Sequence, residues 1–324
     1  MNPIEVRQKI QELKAERSNV LPTLHVGVTV GLISLAIWAL AVWPSVPVAI
    51  GSFLLIGLMQ YRLVMAVHEA THKTLFHPPW LNECVGKVLC GFLGMNLLLY
   101  RKAHLQHHKL ELTIAEDIDA HLYRPALETP PGWPRLWVLL TGVAKTTVLK
   151  IMRKFSTNPQ YGERVLSVPP DWLQLGLIAA AQCLLLFLFA RYSHIWMYFT
   201  HWALPLVGVA QLMDELRTFI EHGYFYLYTG EGKAIEEFPQ TTIDVETGKL
   251  SQYLFAPFGF HLHLAHHTLL TVPFYKLPEL VPLLKEEHQN YPKPIRMSYP
   301  ALFWRMIWKE TPALVRSPAP CYAE

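Results

Sequence analysis

At 324 residues the chain is long enough for one large domain or two small ones, and 52% of it is hydrophobic against only 16% charged. Globular domains carry about 25% charged residues, so this chain cannot cover a water-facing surface, and the same arithmetic excludes disorder, a coiled coil and a disulfide-rich secreted scaffold. The net charge of +3 is too small for a nucleic-acid binder, and four cysteines (Cys84, Cys90, Cys183, Cys321) without CxxC spacing read as reduced, small apolar residues.

In chain order, residues 1–23 mix both signs of charge (Glu5, Arg7, Lys9, Glu12, Lys14, Glu16, Arg17). They read as an N-terminal helix lying in a membrane interface, not as a cleavable signal peptide. Val26 to Trp43 is 18 residues without a charge, near the minimum for crossing a bilayer. After Pro44 and Pro47 a second apolar run reaches Val67, interrupted by Gln60, Tyr61 and Arg62, and closes on HEATH, His68 to His72. Val88 to Tyr100 is apolar for 13 residues, which suits a re-entrant or interfacial helix better than a span. HLQHH follows, with His104, His107 and His108, and then the acidic residues Glu116, Asp117 and Asp119. Trp172 to Ala190 and Ile195 to Met213 are two more runs of 19 residues without Asp, Glu, Lys or Arg. A third histidine cluster, HLAHH, contains His263, His266 and His267.

The predicted fold is all-α and integral to the membrane: about four transmembrane helices in two hairpins, with turns at 44–47 and 191–194, inside a catalytic domain of residues 24–285. Residues 286–324, with Pro292, Pro294, Pro312, Pro318 and Pro320, read as a loosely structured C-terminal extension. The outer turns carry one basic residue, Arg191, whereas the N-terminal segment carries four and the stretch 68–171 carries twelve. The positive-inside rule then puts both termini, the extension and the long connection on the cytoplasmic side, as a helical cap.

Residues i, i+3 and i+4 of a helix project within about 100° of one another, so each cluster aims its imidazoles at one place. Packing gives no reason to gather eight polar rings beside a membrane. His25, His194, His201 and His288, each alone, read as structural or interfacial side chains. Two spans return the chain to the cytoplasmic side at His68 and two more return it before His222, so all clusters can meet on one face. So many nitrogen ligands exceed the four that zinc takes, and suit two six-coordinate metals with open positions. Imidazole alone does not identify the metal.

HEATH, HLQHH and HLAHH resemble the three histidine boxes of the membrane-bound fatty acid desaturase and hydroxylase superfamily. YRKAHLQHH at 100–108 resembles that family's lead into its second box, RTFIEHG at 217–223 an additional motif, and VPFYKLP at 272–278 the segment after the third box. The resemblance runs from about residue 25 to 285. It implies a non-haem di-iron centre that uses dioxygen and two electrons to oxidise an unactivated C–H bond, chemistry closed to redox-inert zinc. The ligands it implies are His68, His72, His104, His107, His108, His222, His263, His266 and His267. Asp117 and Asp119 become candidates for orienting imidazole N–H groups, and Glu69 for a hydrogen-bonding role within the first box. His261 occupies a place where many relatives have asparagine, and His77, five residues after His72, is similarly ambiguous. Arg101 and Lys102 are candidates for holding an anionic head group or facing an acidic electron donor, or serve as positive-inside residues.

The resemblance thus implies a multi-pass protein, of the bacterial inner membrane, that desaturates an acyl chain entering from lipid or cytoplasm. No cytochrome b5-like HPGG motif is present, so electrons are expected from an external donor such as ferredoxin. The same ligand set in relatives also serves hydroxylation, ketone formation, acetylenic bonds and terminal alkenes, on lipid, acyl-carrier or carotenoid substrates. HEATH also satisfies HExxH, in which Glu69 would be the general base of a metalloprotease, but that reading leaves both other clusters unused. A metal transporter would need ligands at mid-membrane, and these lie at helix ends.

Overall fold

The computed structural model describes residues 2–110, 117, 119–143, 170–228 and 241–311. Helix α1 (Pro3–Ala15) opens on a reciprocal capping box between Asn2 and Glu5, with proline at its first position. Helices α2 (Val20–Val42) and α3 (Val46–Thr71) follow, then α4 (Trp80–Leu93), which stops at Gly94 in the left-handed region, φ 65°. Helix α5 (Leu97–Leu110) comes next, then α6 (Arg124–Glu128) and α7, residues 133–143. Helix α8 (Trp172–Tyr192) is capped by the Asp171 side chain. Residues 196–210 form α9, with π-helical turns at Phe199–Ala203 and Leu206–Ala210, and continue into α10 (Gln211–Tyr228). Strand β1 (Val245–Glu246), α11 (Lys249–Phe255), α12 (His263–Thr268), α13 (Leu277–Glu287), strand β2 (Ile295–Arg296) and α14 (Tyr299–Ile307) complete the described elements.

The chain divides into two compact units. One comprises Arg17–His104 and Val143–Asp214. Within it α2, α3 and α8, of 23, 26 and 21 residues, are long and apolar enough to cross a membrane. Their outward faces are bare hydrocarbon and indole: Leu35 and Trp38 on α2, Trp172 and Phe187 on α8 are all exposed. Polar residues inside these helices are turned onto one another. Arg62, 2% exposed, donates to the Thr29 hydroxyl on α2 (3.3 Å), and Gln60 donates to the Trp202 carbonyl in the first π turn (2.9 Å). Gly57 lets α3 approach the second π turn, because a Cβ there would lie 2.4 Å from that of Val209.

Two expectations change here. The apolar stretch 88–100 is divided between two helices, α4 and α5, which bend by 103° around Gly94; such a bent pair is a broken span or a re-entrant loop, so the re-entrant reading stands and only the single helix is replaced. Glycine permits the turn, and Gln182 of α8 donates to the carbonyls of Gly91 (2.8 Å) and Phe92 (2.9 Å) that the break exposes. The run from 195 to 213 is helical but wound partly as π turns, so only three regular helices among the described residues meet the length and polarity of a span, or four if the bent α4–α5 pair is one.

The other unit comprises Met1–Glu16, Leu105–Gly142 and Glu215–Glu324. Val6, Ile10 and Leu13, one stripe of α1, are buried with Leu280, Val281 and Leu284 of α13 and with Leu264 and Ala265 of α12. The stripe expected to lie in a membrane interface is therefore covered by protein, and Lys276 pins the helix end through Glu16 (2.8 Å). Strands β1 and β2 pair in parallel, Val245 with Ile295 and Glu246 with Arg296. In place of a loose tail after residue 286, β2 and α14 are ordered, with Tyr299, Leu302, Met306 and Ile307 buried; apolar spacing of three and four residues outweighs the flanking prolines. Pro312, Pro318 and Pro320 lie outside the described residues.

Candidate metal centre

In the membrane-helix unit the first box ends α3. His68 lies in its last turn and His72 caps it, and α5 brings His104 beside both. Each of the three places a ring nitrogen within 4.8 Å of the others, and His72 Nε2 is 2.8 Å from His104 Nε2. Glu69 Oε1 is 3.2 Å from His68 Nδ1, while its Oε2 accepts from the Thr74 hydroxyl at 3.0 Å. A carboxylate only accepts, so this contact assigns the His68 proton to Nδ1 and leaves the Nε2 lone pair for a metal. Glu69, 2% exposed and tied at both oxygens, does not suit the general-base role of a metalloprotease. Arg101 is also used internally. It donates to the Thr71 carbonyl (3.2 Å) and pairs with Glu83 (2.7 Å), so it fastens the end of the first box to α4 and α5 rather than reaching for a head group.

In the other unit α5 carries His107 and His108, α10 carries His222, and α12 carries His263, His266 and His267. His107, His222 and His267 place ring nitrogens within 4.8 Å of one another. His263 Nε2 lies 3.2 Å from His222 Nε2 and 3.0 Å from His267 Nε2. His108 joins through ring contacts to His267 (centroids 4.2 Å) and His266 (5.4 Å). Two of these rings are held from behind. His107 Nδ1 is 2.6 Å from Asp117 Oδ1, and His222 Nδ1 is 3.1 Å from the Thr241 carbonyl, so both protons sit on Nδ1 and both Nε2 lone pairs face the group. Burial, then repulsion among the rings, drives His222 down to about 3 and His267 well below its ordinary value. Such imidazoles are neutral at physiological pH, which is the form that binds a metal. The Nε2 lone pairs of His107 and His222 thus converge in a buried group of rings, an arrangement that a cation would stabilise. The donor set therefore fits a metal of the imidazole-binding class.

Residues 21–299 match the fatty acid desaturase family. The chain belongs to that family. A stretch of 98 residues is also 31% identical to a sphingolipid delta(4)-desaturase DES1-like protein of Arabidopsis thaliana, covering 30% of this chain and 28% of that relative. The chain thus spans well under a third of that relative's length in the match.

The resemblance seen in the histidine boxes agrees with this membership: the first box lies in one set of rings, the third in the other, and the second box contributes His104 to the former and His107 and His108 to the latter. Of the acids expected to support them, Asp117 does so directly. It is 6% exposed, accepts from the Tyr123 hydroxyl (2.5 Å) and the Asp119 N–H (2.9 Å), and bonds His107. Burial opposes its charge, but the His107 and Tyr123 contacts outweigh that and hold its pKa below the usual carboxylate value. Asp119 stands back, at 3.8 Å from His107 Nδ1. Glu116 lies outside the described residues. His261 belongs to neither set: its backbone carbonyl accepts from Val245, and burial lowers its ring to about 4. His77 is exposed, and its backbone pairs with Asn19.

Sequence reasoning missed three supports. Asp244 Oδ1 accepts the N–H groups of Leu264 (2.9 Å) and Ala265 (3.2 Å), capping the short third-box helix α12, and its Oδ2 accepts from Tyr291 (2.8 Å). Glu221, fully buried beside His222, pairs with Arg217 (2.7 Å), accepts from Tyr299 (2.7 Å) and lies 3.6 Å from His263 Nε2. Tyr123 braces Asp117 and stacks on His222 (6.0 Å). Only Glu221 carried a signal, as an acid inside an apolar helix beside a motif histidine.

Proposed function

We propose that the chain is an oxygen-dependent membrane oxidoreductase that introduces a C=C bond into an acyl chain. The observation that carries this reading is the pair of histidine sets drawn from the three boxes and His222, in which Glu69, Asp117 and Thr241 anchor the rear nitrogens of His68, His107 and His222. Nine histidines (His68, His72, His104, His107, His108, His222, His263, His266 and His267) would hold two iron ions. Bound iron supplies the oxygen and electron chemistry that an unactivated C–H bond demands. The chain's own part is to fix ring orientation through those anchors, to keep the imidazoles neutral by burial, and to stop box one and box two from shifting through Arg101.

The Arabidopsis relative's name gives a sphingolipid as what that protein desaturates, which supports a lipid-borne hydrocarbon chain as the substrate class here. The basic residues of the long connection and the N-terminal segment support a site on the cytoplasmic side, which in this reading is that of a bacterial inner membrane, and an acidic donor of the ferredoxin type would supply the electrons. Hydroxylation differs from desaturation only in how the substrate sits after the first hydrogen is removed, a displacement of about an ångström.

The test is expression in a host with a working ferredoxin system, followed by mass analysis of lipids and free acids. A product lighter by two hydrogens supports desaturation, and one heavier by an oxygen supports hydroxylation. His107→Ala and His266→Ala should each abolish the product and lower bound iron. Full activity in both variants refutes the ligand assignment.

A further inference from the structure

Away from the histidines, α7 and α14 together carry a platform of indoles. Among the described residues of α7 the only charged one, Arg135, points inward and is fully buried. It donates to the carbonyls of Met306 (2.7 Å) and Lys309 (2.6 Å) at the end of α14, and to the Thr311 hydroxyl (2.7 Å). The Gly132 N–H bonds the Ile307 carbonyl (2.7 Å), and a Cβ on Gly132, where φ is +92°, would lie 2.8 Å from the Trp308 ring. With the inner side fixed in this way, the outer side of α7 presents Trp133, Trp137 and Leu140 at helical spacing, and α14 adds Trp304 and Trp308. All five are between 48% and 68% exposed, and Trp133 lies 6.3 Å from Trp304 and 6.2 Å from Trp308 between ring centroids.

We propose that this platform sits in the headgroup boundary of the bilayer, making α7 and α14 a membrane contact of their own unit. Indole combines an apolar face with an N–H donor, and favours that boundary over both water and hydrocarbon. Four clustered indoles and a leucine facing water would be costly, and the chain already carries α2, α3 and α8 to bring it to a membrane. Arg305 and Lys309, both exposed, flank the indoles and lie over the Tyr228 ring at 5.5 and 5.1 Å, with Glu310 the acidic neighbour. That balance of charge suits anionic head groups. A protein partner would also use tryptophans, and the quenching pattern below separates it from a lipid surface.

The test uses the full-length protein in lipid nanodiscs, with Cys84, Cys183 and Cys321 changed to serine and an environment-sensitive fluorophore on Trp137→Cys. A second probe on Leu140→Cys guards against one variant failing to fold. Nitroxide lipids labelled just below the head group should quench at least about threefold more than chain-end nitroxide or aqueous iodide. Phosphatidylglycerol in the disc should strengthen that quenching. Strong iodide quenching, strongest quenching from the chain end, or no quenching by either reagent would each overturn the proposal, pointing to water, a buried span or a covering protein surface. Equal quenching with and without phosphatidylglycerol overturns the part given to Arg305 and Lys309.

Discussion

Asp244 offers the sharpest test of how the third box is held, because one buried carboxylate serves three donors: the Leu264 and Ala265 N–H groups and the Tyr291 hydroxyl. Burial pushes its pKa up from 3.8 to about 6, with those hydrogen bonds opposing. A raised carboxylate pKa means that the folded state holds the proton more tightly than the unfolded state. Its effect on stability is therefore absent below about pH 4, grows as pH rises, and above the folded value of about 6 is a penalty of about 3 kcal/mol. Asp244→Ala lifts the penalty but leaves three buried donors unmet at about 1–3 kcal/mol each, a net loss of about 3 kcal/mol at neutral pH. Asp244→Asn keeps the Oδ1 acceptor and removes the charge, so at neutral pH it should match or exceed the parent. Thermal unfolding of the full-length protein in detergent reads the difference. The alanine variant should lose about 6–12 °C, with bound metal lost first, while the asparagine variant gains on the parent as pH rises through 6. An asparagine variant that falls with the alanine variant, or a gap that does not change with pH, refutes the reasoning.

Asp117→Ala should weaken metal binding about 10- to 100-fold, measured against a competing chelator, because His107 loses the acceptor that fixes its tautomer; Tyr123→Phe should cost less. Gly57→Ala should destabilise by about 1–3 kcal/mol, since the new methyl meets Val209 at 2.4 Å and the Pro205 carbonyl at 3.1 Å. The control is Gly51→Ala in the same helix, where nothing lies within 4 Å, and there the better helix former should raise the melting temperature slightly.

Much of this was legible in the residues alone. The apolar runs at 26–43, 47–67 and 172–190 became α2, α3 and α8, because run length and the lack of charge are local properties that set a spanning helix directly. The histidine boxes were legible for the same reason: spacing of three and four along a helix places rings on one face whatever surrounds them. Box three, on the short helix α12, needed only that much helix. The limits showed where the outcome depended on neighbours. Run length alone did not show that 88–100 folds around Gly94 or that 195–213 winds into π turns, since those breaks are held by side chains such as Gln182 and Gln60 from other helices.

The sequence by itself therefore determined the class of the molecule, its long apolar helices and the histidines that cluster within each unit. Tertiary structure alone decided which groups stand behind those rings. Asp117 rather than Asp119 bonds His107, Arg101 turns to the first box, and Asp244 reaches across 20 positions to cap α12. Such pairings join residues at separations that follow no period. Closing a loop of any of these lengths costs nearly the same entropy, so no spacing rule marks the partner, and only the packed chain shows which acceptor arrives.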